Sequence, residues 1–196
     1  MTDAPVRIAV IIGSTREGRF ADTVARWFVA EASGREDLDL DVVDLLDVDF
    51  PTRLGGHHPA SGIRPEFVRP FADRMAAADG FVILTPEYNH GYPASLKAAL
   101  DALHAEWRAK PAAFVSYGGA SGGIRAVEQL RQVLGELHMV AIRDGVSLPL
   151  ARSLFGEDGA LIDPGFVGPA VKVMFERLTW WARALRAARI ADPYAA

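Results

Sequence analysis

The segment Gly13-Ser14-Thr15-Arg16-Glu17-Gly18-Arg19 gathers glycines, hydroxyls and two arginines into one short stretch. Glycine permits a tight turn with backbone N–H groups pointing inward, hydroxyls add donors, and arginines add positive charge. A helix starting just after such a turn adds its positive end. That combination suits a phosphate; a plain structural turn is the simpler alternative. The spacing Gly13…Gly18 imitates a nucleoside-triphosphate loop, but Arg19-Phe20 stands where Lys-Ser/Thr is required, so the magnesium-binding hydroxyl is missing. The dinucleotide pattern GxGxxG is absent as well, because Ser14 and Thr15 follow Gly13. Asp44 stands where a ribose-binding acid belongs, but without those glycines it reads as an edge-strand aspartate.

Two further stretches have unusual composition. Thr85-Pro86-Glu87-Tyr88-Asn89-His90-Gly91-Tyr92-Pro93 carries prolines that stiffen it, and Pro93 can open the following helix. A stiff loop presents backbone amides to a planar ligand, with Tyr88, Tyr92 and His90 offering flat faces or hydrogen bonds; ordinary packing accounts for each aromatic taken singly. Ser116-Tyr117-Gly118-Gly119-Ala120-Ser121-Gly122-Gly123 has four glycines that let backbone approach a ligand, or simply form a flexible turn.

The elements that must position these loops alternate along the chain. Strands are expected over Val6–Ile12, Leu38–Leu45, Gly80–Thr85, Ala112–Tyr117 and Met139–Leu148. Helices are expected over Ala21–Ala32, Pro65–Ala78, Ala94–Trp107, Gly123–Leu137 and Pro169–Ala188. Strict alternation predicts an α/β fold, a doubly wound parallel sheet of five strands with helices on both faces, hence three layers. The first, third and fourth strands are nearly continuous in apolar residues, as strands covered on both faces are. The second interleaves Asp39, Asp41 and Asp44, and the fifth carries Arg143 and Asp144, which suits edges. The predicted order is therefore 2-1-3-4-5, the flavodoxin-like arrangement. In it ligands sit beyond the carboxyl ends of the strands, where the order reverses, and the three unusual loops all leave strands there.

No repeat, low-complexity tract or linker divides the chain, so residues 1–196 are expected to form one domain. Half of the 196 residues are hydrophobic, enough for a substantial core, and 23 % are charged, which argues against disorder. The net charge of −4 disfavours nucleic-acid binding. The absence of cysteine excludes disulfides, iron–sulfur clusters, thiolate catalysis and thiolate zinc sites. Met1–Arg7 shows no secretion signal and no apolar run is long enough to cross a bilayer, so a cytoplasmic protein without membrane partners is expected. No metal-ligand spacing such as HExxH occurs. His57, His58 and His90 read as surface-loop histidines in preference to proton donors.

Outside the loops, Val171, Met174, Phe175, Leu178, Trp181 and Leu185 form one apolar stripe on the last helix. Trp180 lies off it, either as a partly exposed aromatic or as a subunit contact. Arg183, Arg186 and Arg189 read as a solvated face that complements the helix dipole. The long connections Leu46–Arg64 and Ser147–Gly165 are lids, interface arms or wrapped surface loops.

With Pro86-Glu87-Tyr88-Asn89, Pro93, Leu96-Lys97 and Leu100-Asp101 in place, supported by Gly13-Ser14-x-Arg16 and Gly118-Gly119, the chain resembles the NADPH-dependent FMN reductase family of flavodoxin-like proteins over nearly the whole domain. The resemblance implies FMN as cofactor and NADPH or NADH as co-substrate. It implies that Ser14 and Arg16 contact the FMN phosphate, that Pro86, Glu87, Tyr88 and Asn89 line the ribityl chain and ring, and that Gly118 and Gly119 lie along the pyrimidine end. Many members carry a serine, then an asparagine or similar residue, at the end of the first loop. Here Arg19, Phe20 and Ala21 occupy that stretch, and Arg19 is the candidate for the missing phosphate contact. The flavin would carry the redox chemistry, leaving no obligatory catalytic side chain. The implied activity passes electrons from the nicotinamide through FMN to a quinone, flavin, azo compound or metal oxyanion, each visiting the flavin in turn. The family also implies a homodimer or homotetramer. An electron carrier with no nicotinamide reaction of its own is the competing reading, and a nucleotide-binding domain with no redox role is a third.

Overall fold

The computed structural model describes residues 4–50, 58–63 and 65–195. Its elements are β1 (Val6–Ile12), α1 (Ala21–Glu31), β2 (Leu38–Asp44), α2 (Arg69–Ala77), β3 (Gly80–Pro86), α3 (Ala94–Asp101), β4 (Pro111–Tyr117), α4 (Ile124–Glu136), β5 (Val140–Ala141), β6 (Val146–Leu148) and α5 (Gly168–Ala191). The strands pair in the order β2-β1-β3-β4-β5, all parallel, as the strand polarity predicts. Period-two alternation sends Val6, Ile8, Val10 and Ile12 to the layer built with α1 and α5. Ala9 and Ile11 go to the layer built with α2, α3 and α4. The interior strands β3 and β4 are buried throughout, whereas β2 at the edge is only half-buried.

The expected fifth strand is broken. Both β5 and β6 pair with β4, and residues 142–145 bulge out opposite residues 113–114. Arg143 and Asp144 therefore lie in the interruption and not in an edge strand. A Cβ on Gly145 would stand 2.8 Å from the Phe114 carbonyl oxygen, so a glycine lets the chain rejoin β4. The third helix also stops early, at Asp101. The Trp107 indole, fully buried, donates to the Leu100 carbonyl at 3.0 Å, closing the helix end with a side chain that was expected to continue it. Pro70 lacks an N–H, and α2 accordingly begins at Arg69 after a separate turn over Glu66–Val68.

Arg186 and Arg189 of α5 do not belong to a solvated face. Arg186 reaches Asp79 at 3.0 Å and Arg189 reaches it at 3.5 Å, while Arg189 also donates to the Ala109 carbonyl. They tie α5 to the amino end of the sheet. Trp180 is 60 % exposed and packs edge-on against Trp181. The Ser147–Gly165 connection wraps onto α1, where Phe155 is buried against Phe20 and Trp27. Of the Leu46–Arg64 connection, Pro51 to His57 and Arg64 lie outside the described residues. Phe50 packs edge-on against Phe71, and His58 caps a turn through Ala60.

Candidate active site

Three loops leave the carboxyl ends of β1, β3 and β4 and meet around a cleft of about 770 Å³. Its walls include Arg16, Arg19, Phe20, Pro86, Glu87, Tyr88, Tyr117, Gly118, Gly119 and Arg152. Arg16, Glu87 and Tyr88 also face an adjoining recess that reaches Asn89 and Ser95. The volume lies within the usual range for a cofactor-sized ligand.

The first loop is anchored at its start. The Gly13 N–H donates to the Leu84 carbonyl at 2.9 Å and the Gly13 carbonyl accepts from Ser95 Oγ at 2.7 Å. Ser14 is fully buried, and its hydroxyl meets the Tyr88 hydroxyl at 2.7 Å. The serine thus joins the first loop to the second from inside the wall. Arg16 is exposed, lies over the Tyr88 ring at 5.7 Å and has no carboxylate partner among the described residues. Helix α1 then starts from Phe20 with no side-chain cap, leaving first-turn N–H groups without one.

Arg19 has a different occupation from the one its position suggests. Its guanidinium donates to the Ser14 carbonyl at 2.6 Å and to Asp22 at 2.9 Å, and it forms a two-pronged pair with Asp44. Its side chain is only 7 % exposed. Burial pushes the Asp44 carboxyl up, but the hydrogen bonds from Arg19 and the Leu46 N–H outweigh it and hold the carboxyl below the usual range. Arg19 is therefore a neutralised clamp between the first loop and the end of β2, and Asp44 belongs to that clamp.

The second loop is a tight reversal. Tyr88 and Gly91 exchange both backbone hydrogen bonds, at 2.8 and 2.9 Å, around Asn89 and His90. Those two residues adopt φ of 51° and 69°, as the centre of such a turn requires. The Gln129 amide donates to the His90 carbonyl at 2.9 Å and supports the turn from α4. Pro86 is buried at the end of β3, paired with Tyr117. Glu87 points into the protein. It accepts from the Arg125 backbone at 3.1 Å and from its guanidinium at 2.7 Å, satisfying a donor in the first turn of α4. Burial pushes this carboxyl up, but the bonds from Arg125 and Ser121 prevail and keep it ionised well below its ordinary range.

The glycines of the third loop divide into two pairs. Gly122 and Gly123 have φ of 60° and 85°, and a Cβ at Gly123 would lie 2.8 Å from Ser116 Cβ, so the fold itself demands both. Gly118 and Gly119 have neither a positive φ nor a prohibitive contact, and a Cβ on Gly119 would project into open space. Both residues line the cleft.

Sequence patterning gives no direct sign of three other wall residues. Tyr117 is 5 % exposed, and its hydroxyl has no partner among the described residues. The nearby Ser14 hydroxyl is engaged with Tyr88. Burial pushes the phenol up, so it is a neutral donor. Its position at the end of an apolar strand, just before the glycines, is the signal that could have singled it out. Phe20 and Arg152 reach the cleft through tertiary packing, with Arg152 lying 5.0 Å over the Phe20 ring.

Among the described residues, a buried phenol without a partner, two arginines, Arg16 and Arg152, without acids, uncapped helix N–H groups and a glycine pair free of internal constraint fit a planar ligand bearing a phosphate. A sequence profile described as NADPH-dependent FMN reductase matches residues 6–152. The chain belongs to the NADPH-dependent FMN reductase family. The reductase is 41 % identical over 170 residues to an NAD(P)H-dependent FMN reductase of Schizosaccharomyces pombe, covering 85 % of this chain and 80 % of that one. It is 31 % identical over 187 residues to a quinone reductase of Pseudomonas putida, covering 92 % and 96 %. In structure it is similar to FerB, a flavoenzyme NAD(P)H:(acceptor) oxidoreductase of Paracoccus denitrificans, with TM-score 0.66, 23 % identity and coverage of 91 % and 98 %. That likeness concerns the fold. The reductase is an FMN-dependent oxidoreductase that takes its electrons from NAD(P)H.

Proposed function

We propose that the cleft over Gly118 and Gly119 holds the FMN ring, with its phosphate at the start of α1, and that NAD(P)H and an electron acceptor use the open side in turn. The observation that carries this reading is the division of the glycine loop: the fold demands Gly122 and Gly123, whereas Gly119 meets no such demand and lines the cleft. Arg16 and the α1 N–H groups hold the phosphate. Pro86, Tyr88 and Asn89 fix the second loop along the ribityl chain and ring. Ser14, Glu87 and Arg19 are positioning residues whose polar groups are engaged within the protein. Serine joins loop to loop, glutamate joins the loop to α4, and Arg19 joins the loop to β2. When bound, FMN supplies hydride acceptance and onward electron transfer, so the protein need only bind, orient and leave one face accessible.

The acceptor class is a small planar electrophile, a quinone in first place, because the quinone reductase relative aligns over nearly the whole chain. Azo compounds, free flavin and metal oxyanions belong on the same test panel. We read the chain as one domain, since the described strands share one sheet and one pair of core layers. We read it as a homodimer or homotetramer, a reading supported by exposed Phe67, Phe166 and Trp180. A cytoplasmic location is consistent with the absence, among the described residues, of any helix long and apolar enough to cross a membrane.

The test is anaerobic. Protein, FMN and NADPH are mixed and the flavin absorption near its visible maximum is followed, then each acceptor is added with NADPH and with NADH. Bleaching followed by acceptor-dependent turnover is expected. Unchanged flavin absorption would reduce the protein to a carrier, and no acceptor faster than oxygen would remove the acceptor reading.

A further inference from the structure

The turn Ala151–Leu154 stands outside the three loops, yet it forms a wall of the same cleft through Leu150, Ala151, Arg152 and Ser153. It is fixed to the glycine loop by backbone bonds. The Leu150 N–H donates to Gly119 at 2.8 Å and the Ala151 N–H donates to Gly118 at 3.0 Å. Leu150 adopts φ of 49°, a conformation costly for a branched apolar residue, and its side chain is 60 % exposed. This strained attachment mounts Arg152 against the cleft. The guanidinium lies over Phe20, and Phe20 packs edge-on against Tyr117, whose hydroxyl has no partner among the described residues. The acids on these walls are Glu87, engaged by Arg125, and Glu17 on the exposed turn of the first loop. Arg19, the third arginine on these walls, is neutralised by Asp44 and Asp22.

We propose that Arg152 recognises a phosphomonoester in the cleft that Arg16 also lines, and so decides which phosphorylated molecule the reductase accepts. Arginine suits this task because its planar fork bonds a phosphate through two parallel N–H groups. Two sources carry that chemistry here, the 5′-phosphate of FMN and the 2′-phosphate of NADPH. The inference rests on the FMN reading above, and its test separates the two.

Flavin fluorescence titrations of wild type, R152A and R152K compare FMN with riboflavin, and steady-state assays compare KM for NADPH with KM for NADH. If the FMN phosphate is the target, R152A weakens FMN binding about tenfold, leaves riboflavin within about twofold, and R152K recovers part of the loss. If the 2′-phosphate is the target, FMN binding is unchanged and the preference for NADPH over NADH falls about tenfold in R152A. Equal weakening of FMN and riboflavin would make Arg152 a packing residue over Phe20 and overturn the proposal, as would R152A matching wild type in every comparison. Should wild type bind no flavin, the FMN reading fails separately. Arg152 is then judged by melting temperature with inorganic phosphate: a rise in wild type that R152A lacks supports it, and equal responses defeat it.

Discussion

The two ends of one sheet treat their arginines in opposite ways. At the amino end, Asp79 accepts from the Arg7 backbone N–H at 3.0 Å and pairs with both Arg186 and Arg189, while the buried Lys110 ammonium donates to the Met75 and Ala76 carbonyls at the end of α2. At the carboxyl end, Arg16 and Arg152 face a cleft without a carboxylate partner among the described residues, beside an unpartnered phenol. The strands are the same and the residue types are the same. At the amino end the cations find acceptors within the chain, on Asp79 and on backbone carbonyls; at the cleft, donors are left available. Arg19 shows that the rule belongs to the geometry of each group and not to the loop that carries it, since it stands in the first loop and is matched like a structural residue.

Breaking the amino end should cost stability and leave the cleft alone. Asp79→Ala strands two arginines together and should destabilise the protein by about 3 kcal/mol in urea unfolding, with FMN affinity of the folded protein within about twofold. A shift in FMN affinity larger than that would mean the two ends are coupled. Within the cleft, the glycine loop offers a sharper division. Gly123→Ala should cost about 2 kcal/mol, from positive φ and the contact with Ser116, whereas Gly119→Ala should leave stability within about 0.5 kcal/mol and weaken FMN binding. Calorimetry and flavin titration on the pair decide it; equal losses of stability would undo the assignment of Gly119 to a ligand.

Glu87 sits between the two classes, a matched charge inside the cleft wall. Glu87→Gln should cost about 1.5 kcal/mol at neutral pH. Because the folded carboxyl is held below its ordinary value, the contribution is present above about pH 4.5 and is lost as pH falls through the lower folded value. The unfolding free energy of wild type should therefore drop toward that of the variant in acid, and a constant gap between them would refute the charge assignment. The smallest stability effect belongs to Arg16→Ala. It should weaken FMN about tenfold, about 1.4 kcal/mol, while the melting temperature without FMN stays near wild type.

The sheet order was legible because burial on both faces and burial on one face leave different patterns in seven-residue strands. The continuous apolar run Phe81-Val82-Ile83-Leu84 and the interleaved Asp39, Asp41 and Asp44 differ for that reason. The three loops were legible because glycine and proline at strand ends have local causes. Arg152 was not, since its place in the wall depends on backbone bonds from Leu150 and Ala151 to glycines some thirty residues earlier. The fate of Arg19 was not legible either. Its type suited phosphate, and only the folded chain brings Asp44 from the end of β2 into reach. The ends of helices failed where a distant-acting side chain such as the Trp107 indole set them.

The interruption between β5 and β6 has a bearing on how the molecule behaves at high concentration. An outer strand of full length offers a row of free amide groups to which another chain can add, the first step toward fibrils. Here the outermost position is filled by pieces of two and three residues, and Arg131 covers the carbonyls of Ala141, Ile142 and Arg143 in the gap. The opposite border carries Asp39 and Asp41. The seven-residue border β2 is thus marked by charge, and the other border is too short and too well covered to serve as a template.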